Sequence, residues 1–186
     1  MKPVQRENLL DYVTYETERE RLRAEVLAVK APRRVHLAGV LTFLFENTTT
    51  IRYQVQEMMR AERIVREADI RHELETYNEL LGAPGELGCT LLVEIVDPAE
   101  RQAKLSQWLD LPSAVYLRMP KKGRVRARFD ERQVGEERVS SVHYLKFDVR
   151  GEVPWAVGCD LPGLTAEAEL SEATRAALAE DLASDL

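Results

Sequence analysis

Apolar residues recur along this chain with two spacings, and the spacing distinguishes predicted helices from predicted strands. In residues 15–29, Leu22, Val26 and Val29 recur at three or four positions, as on one helical face, with Thr14 as the expected cap at the start, and Pro32 marks the end. Spacing, capping residues and glycine or proline stops together predict four further helices, over residues 51–67, 69–81, 99–109 and 171–182, the last of them capped by Ser171.

Shorter runs rich in β-branched and aromatic residues predict strands. Residues 34–37 and 41–45 flank Ala38-Gly39, which predicts a hairpin, and the continuous apolar run 89–96 predicts a central strand. Further strands are predicted over residues 114–118, 124–129, 139–149 and 153–157. Strand pairs around a block of helices are typical of the α+β class.

We therefore expect a single α+β domain over residues 1–186, with a mainly antiparallel sheet and helices packed on one face. A terminal helix is expected at each end, within a helical segment over residues 1–31 and a C-terminal helix over residues 165–186. The length and the 45% hydrophobic content suffice for one sizeable core.

Charge and cysteine content narrow the function classes. A formal net charge of -6 disfavours nucleic acid as a partner, since phosphate binding depends on accumulated positive charge. Cys89 and Cys159 form no C-x-x-C motif, which fits two buried thiols in a reducing compartment. No apolar run has the length of a membrane span, and MKPVQRENLL lacks the apolar region of a signal peptide. We expect a cytoplasmic protein that does not bind membranes.

The stretch FENTTTIRYQVQEMMRAERI, residues 45–64, combines apolar and polar positions unusually. Glu46 and Asn47 follow an apolar strand, and a helical projection places Gln54 and Glu62 inside the apolar face, with Glu57 at its border. A buried carboxylate is costly unless it is paired. The local candidates for pairing with Glu62 are the amide of Asn47 and three arginines: Arg60, Arg63 and Arg66.

This junction allows three interpretations. The first is a closed salt-bridge and hydrogen-bond network that holds strand and helix together. The second is a polar pocket for a small ligand or a metal, and the third is a protein-docking surface. The candidate ligand-binding residues are Glu46, Asn47, Gln54, Glu57, Arg60 and Glu62. As a pocket the cluster could perform acid/base chemistry, but no nucleophile motif accompanies it, so whether the protein is an enzyme stays open.

Metal and nucleotide motifs are not found in the sequence. His36, His72 and His143 each stand alone, without the spacing that places two ligands on one helical face. No Gly-rich phosphate-binding loop with its lysine is present. We therefore expect no intrinsic metal site, and the cofactor, if there is one, is unknown.

A basic strand is the second feature of interest. With a period of two, Arg124, Arg126 and Arg128 share one face of the predicted strand over residues 124–129. One interpretation is a solvated face whose charges are balanced across the turn, by Glu131, Glu136 and Glu137. The alternative is a site for an anion or an acidic partner. If this strand is an edge, it can also pair with a second copy, which leaves a homodimer open.

Six motifs in order resemble a bacterial family, domain of unknown function 3501: LTFLFEN, IRYQVQEMMRAERI, ELETYNELL, CTLLVEI, RARFDERQ and SSVHYLKF. The resemblance extends over most of the chain. The matching polar positions are Glu46, Asn47, Gln54, Gln56, Glu57, Arg60, Glu62, Glu73, Tyr77 and Asn78. Longer members are associated with an Asp-His-Pro-x-Tyr segment, for which this chain has DLPGL at residues 160–164, without the histidine and the tyrosine.

The resemblance implies a non-enzymatic accessory or binding protein of a redox or oxidative-stress system. The implied partners are rubrerythrin-like and iron-sulfur proteins. It names no reaction. The alternative, from the residues themselves, is an enzyme or small-ligand receptor that uses a Glu/Arg/Gln pocket within residues 46–62.

Overall fold

The computed structural model describes residues 1–121, 123–135 and 137–184. Within these ranges the chain forms six α-helices and eight strands, which confirms the α+β class. The strands form two four-stranded antiparallel sheets instead of one.

The first sheet contains both strands of the predicted hairpin. Its members, in spatial order, are β1 (Arg34–Leu37), β2 (Leu41–Phe45), β3 (Glu86–Val93) and β6 (Val142–Asp148). Residues 38–40 connect the two strands, and the amide of Val40 donates to the carbonyl of Leu37 at 3.3 Å. Ala38 and Gly39 both have positive φ, 54° and 71°, as the two central residues of a type I′ turn do. The hairpin strands occupy the predicted residues.

The second sheet is built from the later strands. In spatial order it contains β5 (Gly123–Arg126), β4 (Val115–Met119), β7 (Ala156–Cys159) and β8 (Ala166–Glu169). The sequence pattern missed β8, because its AEAE composition is more typical of a helix than of a strand. The predicted C-terminal helical segment over residues 165–186 therefore includes a strand.

One apolar core lies between the inner faces of the two sheets. Phe43, Leu91 and Phe147 from the first sheet and Leu117 and Val157 from the second are fully buried members of it. Successive side chains of a strand point to opposite faces of the sheet, so the residues next to these along the strands of the first sheet lie on its outer face. The outer face is therefore available for helices and for a site.

Three helices precede β3 in the chain. α1 (Tyr12–Lys30) comes before β1, and α2 (Thr48–Ala61) and α3 (Glu67–Asn78) lie between β2 and β3. α1 packs on α2, and α2 packs on α3. With the N-terminal segment, α2 and α3 form a second, smaller core, whose members include Val4, Ile51, Val55 and Ile70. Asp11, not the expected Thr14, caps α1 by accepting from the amides of Val13 and Thr14.

The remaining helices are α4 (Pro98–Gln107), α5 (Leu111–Ala114) and α6 (Glu172–Ala183). Asp97 caps α4 and Ser171 caps α6 through side-chain oxygens, as the sequence predicted for Ser171. Across the described ranges, none of the helices combines the length and the apolar character needed to cross a membrane.

Helix α2 ends earlier than its apolar spacing predicts, at Ala61 instead of residue 67. Arg63 adopts the left-handed conformation (φ 54°), and the amide of Ile64 donates to the carbonyl of Met59 at 2.9 Å. This is the Schellman arrangement, in which glycine is the usual residue at the left-handed position. Because an arginine takes that position here, the sequence contains no visible stop signal.

His143 on β6 is a polar group inside the core between the sheets. It is fully buried opposite Leu91, and neither ring nitrogen has a hydrogen-bond partner among the described residues. Burial lowers the pKa of His143 below its usual value, and the backbone of Ser140 offsets part of this effect. The folded protein therefore holds this imidazole in its neutral form.

We expect the wild-type protein to lose stability as the pH falls below about 6.5, because His143 then binds a proton more readily in the unfolded chain. His143→Leu should reduce this loss and raise the unfolding free energy at pH 7 by about 1 kcal/mol, since it removes an unsatisfied polar group. Urea unfolding at pH 7 and pH 5 measures both effects. Replacing the exposed His72 by glutamine is the control, and an equal change in that variant would contradict the assignment.

Candidate functional site

Glu46 at the end of β2 is buried, with 1% of its surface exposed. Its carboxylate accepts hydrogen bonds from the hydroxyls of Thr50 (2.5 Å) and Thr90 (2.6 Å) and from the Gln54 amide (3.3 Å). No cation of the described residues lies at ion-pair distance. The carboxylate is therefore stabilised by neutral donors and fixes the orientation of Gln54 and Thr90.

Asn47 has a structural role that connects distant segments. Its side chain caps α2 by accepting from the amide of Thr50 at 3.0 Å, and its Nδ2 donates to Asp181 of α6 at 3.1 Å. Asp181 also forms a buried ion pair with Arg33, between α1 and β1, at 2.7 and 2.9 Å. Asn47 thus belongs to a network that attaches the C-terminal helix.

Glu57 on α2 forms its contacts with α1. The Tyr15 hydroxyl donates to Glu57 at 2.6 Å, and Arg19 binds the carboxylate through two nitrogens at 2.8 Å each. Hydrogen bonding from Arg19 lowers the pKa of Glu57, against an opposing effect of burial. Glu57 is therefore an ionised group whose charge is already balanced by Arg19.

Arg60 and Glu62 do not meet the other predicted site residues. Arg60 pairs with Glu16 of α1 at 2.6 Å. The expectation that Glu62 lies in a buried apolar face is wrong, because α2 ends at Ala61 and Glu62 is the exposed capping residue. An exposed carboxylate needs no buried partner, so the pairing expected with nearby arginines is not formed within the described part of the chain.

The arginines of the basic strand are paired differently from the expectation. Arg124 and Arg126 both bind Asp160, at 3.0 and 2.6 Å, and Arg128 pairs with Glu86. Arg124 also lies 4.1 Å from the centre of the Tyr116 ring.

The acids expected to balance this strand, Glu131 and Glu137, form none of these pairs, and Glu136 lies outside the described residues. β5 is an edge strand of the second sheet. Binding of an anion, an acidic partner or a second copy by these arginines stays a prediction.

A cleft of about 520 Å³ lies between α2 and the outer face of the first sheet. Two adjacent cross-strand rows form its floor. Arg34, Leu44, Thr90 and Tyr144 stand opposite one another on the four strands, and Leu92 and Val142 pair in the next row. The walls come from five residues of α2 and one residue each of α1 and α3: Tyr53, Gln54, Glu57, Met58, Ala61, Lys30 and Tyr77.

Two cations face this cleft without an acid at ion-pair distance. Lys30 is half-buried at the end of α1, and its Nζ lies 5.5 Å from the centre of the Tyr53 ring. Arg34 is exposed on the adjoining edge strand. Neither side chain has a carboxylate at ion-pair distance or a hydrogen-bond acceptor anywhere in residues 1–121, 123–135 and 137–184, and the charge of the buried Glu46 acts on Lys30 from farther away. The site therefore presents two cations that no direct contact neutralises.

Tyrosine rings supply the apolar surface beside these charges. Burial raises the pKa of Tyr53 and of Tyr77 above their usual values, and the negative charge of Glu57 adds to the shift of Tyr53. Both phenols are neutral near pH 7. Tyr144 is 41% exposed and lies at the open side of the cleft.

Among the predicted site residues, Gln54 and Glu57 line this cleft directly, and Glu46 stands behind Gln54 and Thr90. Sequence reasoning missed Lys30, Arg34 and the tyrosines. The signal for Arg34 was the hairpin register, which places it opposite Leu44 on the outer face. Nothing in the sequence identified Lys30 as a site residue, because lysine is common in the last turn of a helix.

The thiols and the carboxylates provide no further reactive centre. Cys89 and Cys159 are buried free cysteines, and burial raises the pKa of both thiols. The described residues also contain no group of three or more His, Cys, Asp or Glu side chains arranged to hold a metal. The chemistry of the site therefore has to come from the cations, amide and phenols of the cleft.

Comparison with known proteins places the chain in one family. The family model described as protein of unknown function (DUF3501) matches residues 3–182. A crystal structure of a novel protein of unknown function from Burkholderia pseudomallei K96243 has a TM-score of 0.89 and 32% sequence identity, covering 97% of this chain and 100% of that chain. No curated protein matches.

Proposed function

We propose a function from the site geometry, because the chain belongs to the family of proteins of unknown function DUF3501 and that description names no activity. The proposed function is the binding of a small organic anion with an aromatic or other flat apolar body. The binding site is the cleft between α2 and the first sheet. This proposal develops the small-ligand interpretation of the strand-helix junction at residues 45–64. Its cations are Lys30 and Arg34, whereas the sequence predicted Arg60.

The observation that carries this proposal is the pair of neighbouring cations in the cleft. Lys30 is half-buried, and partly buried positive charge is unfavourable unless an anion or a set of acceptors compensates it. Arg34 is exposed on the edge strand, and neither side chain has an ion-pair partner or a hydrogen-bond acceptor within the described residues, although the charge of the buried Glu46 acts on Lys30 from beyond ion-pair distance. A carboxylate or phosphate between them would supply charge-assisted hydrogen bonds.

The size and lining of the cleft limit the ligand further. A volume of about 520 Å³ falls in the range of small-molecule sites, which are mostly apolar with a few placed polar groups. Tyr53, Tyr77 and Tyr144 offer rings for a flat apolar group, and Gln54 and Thr90 offer polar atoms. Glu46 holds these two polar side chains in place, as an acceptor behind the site.

Benzoate is expected to bind the wild-type protein at least tenfold more tightly than benzamide, since charge-assisted hydrogen bonds contribute about 1.5–3 kcal/mol each. Lys30→Met and Arg34→Met should each weaken benzoate binding by roughly tenfold. Isothermal titration calorimetry measures all four affinities.

Lys104→Met provides the matched control. Lys104 is also half-buried and lies 5.6 Å from the centre of the Trp108 ring, but it does not line the cleft. Its replacement should leave benzoate binding unchanged. Equal affinity for benzoate and benzamide, or an equal loss in Lys104→Met, would overturn the proposed function.

The accessory role in a redox system stays a separate prediction, as do the rubrerythrin-like or iron-sulfur partner, the homodimer and the cytoplasmic location. The buried thiols give the redox role no direct support, because their raised pKa values keep them as poorly reactive thiols. Co-purification from native cells tests the partnership, and repeated failure to recover such a protein would count against it.

A further inference from the structure

The Lys30 amine occupies an unusual position among the lysines of the described residues. It ends α1, reaches into the cleft and lies over the Tyr53 ring, with no carboxylate or acceptor from the described segments to hold it as an ammonium ion. Arg34 adds a second positive charge in the same cleft. A desolvated lysine beside another cation is a recurrent arrangement for nucleophilic amines.

We propose that Lys30 forms an imine with a 2-oxo acid bound in the cleft, an inference that rests on the proposed anion site. In this arrangement the carboxylate of the ligand pairs with Arg34. The neighbouring carbonyl carbon faces the Lys30 nitrogen, and the apolar group of the ligand contacts the tyrosine rings.

The electrostatic surroundings of Lys30 favour the neutral amine that this reaction needs. Burial lowers the pKa of the Lys30 ammonium, the charge of Glu46 opposes this shift, and the charge of Arg34 adds to it. The ring of Tyr53, a neutral phenol, lies 5.5 Å from the lysine nitrogen, and a cation–π contact of this kind favours the ammonium form. The net effect of burial, Glu46 and Arg34 is nevertheless to lower the pKa of Lys30, which is the direction that imine formation requires.

The step balances without an oxidant or a cofactor. The lone pair of the neutral Lys30 nitrogen attacks the carbonyl carbon, and a proton moves from nitrogen to the former carbonyl oxygen, which gives a carbinolamine. That hydroxyl then leaves as water together with the remaining N–H proton, and the nitrogen lone pair forms the C=N bond. One water molecule is released for each imine, and hydrolysis reverses the reaction.

The choice of a 2-oxo acid follows from the two cations. A simple aldehyde would satisfy the amine but leave Arg34 without an anion, and a simple carboxylate would satisfy Arg34 but offer no electrophilic carbon. A 2-oxo acid has both groups on adjacent carbons, so one small ligand satisfies Arg34 and Lys30 together. An aromatic substituent then matches Tyr53, Tyr77 and Tyr144.

Reductive trapping with phenylpyruvate and cyanoborohydride tests the proposal on the full chain. The expected result is a phenylpyruvate-derived label at Lys30, located by peptide mass mapping. Labelling of Lys30 should exceed that of Lys104 by roughly tenfold or more, since only Lys30 lies in the cleft that would hold the carbonyl beside the amine. Phenyllactate, which has the same ring and carboxylate but no carbonyl, should give no label.

Two variants complete the test. Lys30→Arg should lose the label, whereas Lys104→Arg should retain it. Labelling spread evenly over the lysines, or its absence at Lys30 in a wild-type protein that binds benzoate, would overturn imine formation and leave the proposed anion site intact. If the wild-type protein fails to bind benzoate, the proposed function itself fails.

Discussion

Replacing Arg33 by methionine is expected to lower the free energy of unfolding by about 3–5 kcal/mol. Arg33 and Asp181 are each only 6% exposed, and they form two short hydrogen bonds. Methionine retains the aliphatic stem but leaves Asp181 as a buried charge whose remaining side-chain partner is the Asn47 amide. The cost comes mainly from this buried charge, which loses its paired cation and retains the N-terminal amine of Met1 as an electrostatic partner.

Chemical denaturation of single and double variants measures two quantities separately. The single variant reports the cost of a buried Asp181 without Arg33, and the double variant reports the net contribution of the ion pair to the free energy of unfolding. Arg33→Met combined with Asp181→Leu should recover most of the loss, because an apolar pair of similar volume often replaces a buried ion pair at little cost. Arg71→Met is the control: Arg71 pairs with Glu67 at an exposed position, and its loss should not be measurable. A double variant as unstable as the single one would contradict this account.

Replacing Gly88 by alanine is the second substitution with a large expected effect, a loss of about 3 kcal/mol. A Cβ at this position of β3 would lie closer than 3.0 Å to the carbonyl oxygen of Leu80 and 3.1 Å from the amide nitrogen of Gly82. Both neighbours are backbone atoms of the segment after α3, so a side-chain rotation cannot relieve the overlap. β3 and the segment after α3 would have to move apart.

Gly39→Ala distinguishes this overlap from the ordinary cost of losing a glycine. Gly39 has a positive φ, and a Cβ there would meet nothing within 4 Å, so the expected loss is the conformational cost of about 1–2 kcal/mol. Thermal and urea unfolding of the two variants gives the comparison. If Gly88→Ala is no less stable than Gly39→Ala, the close approach of Leu80 to β3 is not a rigid feature.

The predicted site at residues 46–62 is divided between two roles in the structure. Glu46 and Asn47 serve mainly as fixed hydrogen-bonding centres, the first behind the cleft and the second between α2 and α6. Gln54 and Glu57 line the cleft, but Glu57 is neutralised by Arg19. The closed network and the open pocket are thus both present, side by side along one helix.

Local signals predicted the hairpin strands and the Ser171 cap well, because each depends on residues close together in sequence. The end of α2 could not be predicted, since Arg63 takes a left-handed conformation that glycine usually occupies. The division of the strands into two sheets also had no local signal. It depends on which strand edges pair, and pairing is decided by the packing of the common core.

The sequence by itself determined the α+β class, the order of the longer helices and strands, and the presence of polar residues at the start of α2, because periodicity and capping act over a few residues. Only the tertiary structure decided which side chains meet. The row of Arg34, Thr90 and Tyr144 exists through strand register, and the pair of Arg33 with Asp181 joins residues 148 positions apart. Such contacts depend on how distant segments pack, and a binding cleft consists of contacts of this kind.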